Sequence, residues 1–132
     1  MPTSSRSNSS GYAYTIEGRL VTLRPPPKPP LDGARDIFTV MLHDESIPNG
    51  ALLLVDARES DVDLAPGLVR NRVELVWSLL SGKFAPFLAV VPASSATGLT
   101  AHRFQMDAAV FAGIRVGIFQ SIEDARQWLE LH

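Results

Sequence analysis

Three apolar runs constrain this chain more than any other feature: "ALLLVDA" at 51–57, "FAPFLAVVP" at 84–92 and "IRVGIF" at 114–119. None alternates polar with apolar residues, so each predicts a strand covered on both faces rather than one with a wet side. Such strands need helices above and below them, and the segments between the runs supply the patterns. In "GARDIFTVMLHDES", Ala34, Ile37, Phe38, Met41 and Leu42 fall on one helical stripe, with Asp36, Thr39 and His43 on the other face. "IPNG" then stops that helix. Asp63 is placed to cap the next one, Pro66 stands in its first turn, Val69, Val73, Val76 and Leu80 form its stripe, and Gly82 closes it. "GLTAHRFQMDAAVFA" predicts a third helix. In "SIEDARQWLELH", Ser121 caps the first turn, Glu123 and Asp124 complement the helix dipole, and Ile122, Ala125, Trp128 and Leu129 face inward.

Upstream, "YAYTIEGRLVTLR" predicts two short strands around Glu17-Gly18, a hairpin in which glycine supplies the unusual φ. "PPPKPPLDG" can enter neither a ladder nor a helix interior, since proline lacks the N–H and fixes φ; it predicts a stiff extended spacer, which a proline-binding partner could also read. Alternating elements after the hairpin imply parallel strands joined by right-handed crossovers. The expected fold is therefore α/β: a mixed sheet of about five strands, the hairpin plus three buried parallel strands, with four helices. Residues 1–10, Ser-rich and without an apolar core, predict a disordered tail, and 11–132 a single domain.

A chain of 132 residues can bury a core without staples, and it has no Cys from which to build a disulfide framework. A net charge of −2 offers no general attraction to phosphate backbones or anionic membranes, so nucleic acid is not expected as a partner. No stretch reaches the roughly 18 apolar residues of a membrane span. The expected location is the cytoplasm.

Familiar catalytic signatures are missing. There is no HExxH, CxxC, GxSxG, Walker loop or dinucleotide fingerprint, and no cofactor or metal is expected. Of the three His, His43 lies on a polar helix face, His102 shares a face with Gln105, and His132 is terminal. What remains lies at the carboxyl ends of the strands, where open α/β sheets bind ligands. Asp56, Arg58 and Ser60 follow the first run; Asp56 can cap, bind Arg58 or position a ligand. In "PASSATGLT", Ser94, Ser95, Thr97 and Thr100, with Arg103 one turn on, can act as helix caps or as an anion site. The aromatic residues Phe38, Phe84, Phe87, Phe104, Phe111 and Trp77 fill a core or line an apolar pocket; Trp77, off the main Val stripe, is a candidate exposed interaction residue.

The segment "IRVGIFQSIEDARQWL", with "LLLVDAR" and "GLTAHRFQMDA" before it, resembles the SpoIIAA-like group of STAS/SEC14-domain proteins over roughly Leu31 to Leu131. The resemblance implies a STAS-like β-α superhelix, bacterial origin and a non-enzymatic role, since well-known members antagonise anti-sigma factors. Those members carry a phosphorylatable Ser in an Asp-Ser-Ser/Thr-Gly segment after the central strand. A phosphate there would add about two negative charges at a helix N-terminus. Here the corresponding stretch is "DVDLAPG", with Leu64, Ala65 and Pro66 where hydroxyls belong. The expected protein is a non-catalytic regulatory or protein-binding module without that switch, with a protein partner or a homodimer formed through a sheet edge or helix face. A carrier of a small lipid or other apolar ligand is the alternative. An enzyme acting on an anionic substrate through Asp56, His102 or the Ser94/Ser95 loop is the third reading.

Overall fold

The computed structural model describes residues 4–7, 11–27, 33–60, 74, 78, 82–92 and 114–131. In chain order these form β1 (Ser4–Ser7), β2 (Ala13–Glu17), β3 (Leu20–Arg24), α1 (Gly33–His43), β4 (Ala51–Ala57), β5 (Phe84–Pro92), β6 (Arg115–Ile118) and α2 (Ile122–Glu130). One six-stranded sheet runs β1-β2-β3-β4-β5-β6. The β1–β2 and β2–β3 pairs are antiparallel, and every pair from β3 to β6 is parallel. The architecture is thus mixed α/β, as the order of patterns implied.

Several elements differ from expectation. Ser4–Ser7 falls in the stretch read as a tail, yet it pairs with β2 and adds a strand to the anticipated five. Backbone pairing on a sheet edge needs no apolar signature, which is why "SSRS" carries none. The hairpin loop is Gly18-Arg19 rather than Glu17-Gly18, because Glu17 pairs with Leu20. Gly18 alone takes positive φ there (62°), the glycine-first pattern of a type II′ turn. Leu42 shares the apolar stripe of α1 in the sequence but is 36% exposed; Ile37, Phe38 and Met41 carry the burial. Of the expected four helices, α1 and α2 are described. Glu74, Ser78 and Gly82 are helical within the second, where the Ser78 hydroxyl donates to the Glu74 carbonyl at 3.1 Å. The third lies outside the described residues.

Two clusters sandwich the sheet. On one face, Tyr12, Tyr14, Ile16, Val21, Leu23, Leu53, Leu88 and Val116 pack with Ile37, Phe38 and Met41 of α1. On the other, Leu52, Leu54, Ala89 and Val91 pack under Ala125 and Leu129 of α2. β4 contributes to both and is buried at every position except Val55, which is half-buried; a central strand with no wet side is what its unbroken apolar run requires. β5 tolerates the exposed Pro86 because its ladder with β4 shifts register between Ala51/Phe84 and Leu53/Leu88, where no N–H is needed from the ring.

Caps fix the helix ends. Ser121 adopts extended φ/ψ (−140°, 153°) and its side chain accepts from the Asp124 N–H at 3.1 Å. At the other end of the sequence, the last turn of α1 directs carbonyls of Met41, Leu42 and Asp44 at the Lys83 ammonium, with Met41 at 3.4 Å and Leu42 at 3.5 Å. A cation there suits the negative end of the helix dipole, adding to the backbone N–H groups of Asp44 and Ile47 that the Met41 and Asp44 carbonyls already accept. The fully buried Tyr14 donates its hydroxyl to Asp44 Oδ2 at 2.6 Å, tying β2 to the same helix end.

Candidate functional site at the carboxyl end of the sheet

Strand alternation decides which side chains meet where β3 and β4 end. Leu23 pairs with Val55 in parallel register, so the next residues, Arg24 and Asp56, emerge side by side on the α2 face. Arg58, two residues beyond Asp56, returns to that face through a turn in which the Ser60 N–H donates to the Ala57 carbonyl at 3.1 Å. A carboxylate and two guanidiniums are thereby brought together from two strands.

Asp56 is 4% exposed, yet it is ionised and satisfied. Arg58 grips it in a fork: Nε donates to Oδ1 at 2.8 Å and Nη2 to Oδ2 at 3.0 Å. The Arg58 backbone N–H adds a contact to Oδ1 at 3.3 Å, and Arg24 Nε lies 3.7 Å from Oδ2. The side-chain bonds from Arg58 hold the Asp56 carboxyl below the ordinary range and outweigh the opposing effect of burial; the Arg58 backbone bond and the charge of Arg24 act in the same direction. The pair in turn raises the pKa of Arg58. Both carboxylate oxygens being engaged, Asp56 is a poor proton acceptor and a good anchor. It fixes Arg58, whose side chain remains 52% exposed, beside Arg24, 59% exposed.

Two neighbours complete the strand end. Ser60 is 1% exposed, and its hydroxyl has no hydrogen-bond partner among the described residues. On the α1 face, Val55, Val90 and Ile118 stand opposite one another across β4, β5 and β6, all half-buried, whereas Leu53, Leu88 and Val116 one row inward are buried. The carboxyl end therefore offers a short aliphatic row on one face and a carboxylate-anchored arginine pair on the other.

Of the residues singled out from sequence, Asp56 and Arg58 are in direct contact. Ser94, Ser95, Thr97, Arg103, Trp77 and His102 lie outside the described residues, as do Phe104 and Phe111. Phe38 and Phe84 are core residues. Phe87 packs edge-on to Trp128 with centroids 6.3 Å apart, and Phe119 meets Trp128 at 5.5 Å. His43 is exposed, with Nδ1 2.9 Å from the Thr39 carbonyl. Arg24 was missed: its place beside Asp56 follows from the parallel β3–β4 pairing, and the hairpin pattern alone does not say which strand it joins.

Among the described residues no group of His, Asp or Glu is arranged to hold a metal ion, and no helix is long and apolar enough to cross a membrane. The chain matches no family model, no curated protein and no solved structure.

Proposed function

We propose that this chain is a non-catalytic regulatory or protein-binding module of the SpoIIAA-like type, built on a STAS-like fold and lacking the phospho-serine switch. The observation that carries this reading is the state of Asp56. Among the described residues the buried carboxylate at the carboxyl end of the sheet is committed to Arg58 in a bidentate fork that favours its charged form and makes it a weak base. What faces outward is an arginine fixed by that fork, Arg58, with the exposed Arg24 beside it, groups suited to recognition rather than to turnover. The resemblance of "LLLVDAR" and "IRVGIFQSIEDARQWL" to STAS-domain proteins points the same way.

The test is affinity capture of a kinase-like or sigma-associated partner by the full chain, followed by binding measured between the two purified proteins. A saturable complex supports the module. Turnover of an ester or phosphoester substrate that disappears in Asp56→Asn would instead assign an enzyme.

A second reading, a carrier of an apolar ligand, is favoured by one observation: the half-buried row Val55, Val90 and Ile118. Lipid co-purifying with the wild type and absent from Val90→Asp, read by mass spectrometry, would support it.

A further inference from the structure

We infer that Arg24 and Arg58 form a binding site for an oxyanion, the phosphoryl or carboxylate group of a small ligand; this rests on the binding-module reading and names its ligand chemistry. The geometry begins with a guanidinium that is already oriented. Arg58 commits Nε and one Nη2 hydrogen to Asp56, and a guanidinium has five N–H donors in one plane. Three remain, directed away from the carboxylate on a side chain that is half exposed. Arg24 stands on the same face, close enough to sense Asp56 but at 3.7 Å too far for a hydrogen bond, so its donors are uncommitted to that carboxylate.

The charges of the site balance only through an exposed group. One buried carboxylate faces two guanidiniums, and Asp56 cannot neutralise both. Glu59, exposed and next along the turn, is the other carboxylate that bears on Arg58 among the described residues. Next in the chain, the Ser60 hydroxyl is buried with no hydrogen-bond partner among the described residues, an arrangement that native structures resolve with a water or a ligand. The freezing of Arg58 before any ligand arrives matters most, because the rotamer entropy of a long side chain is lost on folding rather than on binding.

The experiment titrates the full chain with inorganic phosphate and, separately, with acetate, against chloride at matched ionic strength. Arginine Nε–H and backbone amide signals of 57–60 are followed by NMR. Saturable shifts at Arg24 and Arg58 with either anion support the site, and the anion that saturates identifies a phosphoryl or a carboxylate ligand. Arg24→Gln should weaken binding about ten-fold, the usual worth of a charge-assisted hydrogen bond. Glu59→Gln should tighten it. Both positions are exposed, so neither change threatens the fold. Linear shifts, shifts shared with chloride, or equal affinities in all three proteins would overturn the site. No saturable anion binding, together with a partner complex that forms undiminished with Arg24→Gln, would overturn the oxyanion site while leaving the binding-module reading standing.

Discussion

The sheet has two halves that follow different rules. Its antiparallel flank, β2 and β3, buries alternate residues: Tyr14, Ile16, Val21 and Leu23 face the α1 core, while Thr15, Thr22 and Arg24 face the α2 side with partial or full exposure. Its parallel centre has no such alternation, and Leu52, Leu53 and Leu54 are successive residues with 5%, 0% and 0% exposure. A one-sided strand tolerates change on its wet face, whereas a two-sided strand has none to spare. The carboxylate site lies on the seam between these halves, with Arg24 from the flank and Asp56 from the centre.

The contrast is sharpest in the centre. Leu54→Ala removes a fully buried side chain from the α2 cluster and should cost about 2–5 kcal/mol, measured as a shift in urea midpoint. A loss below about 1 kcal/mol would mean that the second face is not packed.

At the seam, Asp56→Asn keeps the shape but loses the ionic bonds to Arg58, for an expected loss of about 1.5–3 kcal/mol. It also removes a pH dependence. Because the fork lowers the folded pKa beneath the ordinary 3.8, its contribution is whole above that pH and disappears as pH falls through the folded value. Wild type should therefore lose stability toward acid more steeply than the variant; parallel curves would show that the fork is not formed in solution.

Gly117→Ala tests the tightest packing of the outermost parallel strand. A Cβ there would lie 2.6 Å from the Phe119 ring and 3.3 Å from Trp128, so the aromatic pair must shift, at about 1–2 kcal/mol. A changed tryptophan emission should accompany the loss. The smallest effect belongs to the flank: Thr22→Ala, directly opposite Thr15 on the wetter face, should cost no more than about 0.2–1 kcal/mol. A larger value would place a second packed layer over that face and abolish the distinction between the halves.

Legibility followed the same division. The three apolar runs announced the strands β4, β5 and β6, but burial on both faces holds for β4 alone: β5 exposes Pro86 and leaves other positions half-buried, and β6, at the edge of the sheet, exposes Arg115. α2 was readable to the side chain: Ala125 and Leu129 are buried, Ile122 and Trp128 half-buried, and Ser121 caps. β1 was not, since an edge strand of Ser4–Ser7 is held through its backbone and its composition says nothing. Asp56 with Arg58 could be found because the two are neighbours in the chain. Arg24 could not, because parallel register between distant segments is a tertiary fact. The burial of Ser60 escaped for a related reason: a turn hydroxyl looks solvated until the turn is seen folded against the sheet.

Lys83, gathering the carbonyls at the end of α1, has a kinetic corollary. It immediately precedes β5, while its acceptors Met41, Leu42 and Asp44 precede β4, so a single ammonium closes a circuit of about forty residues around the central strand. Fraying of that helix end and detachment of the start of β5 thus become one opening event. Amide exchange at the two places should slow and quicken together, although some forty residues of chain separate them.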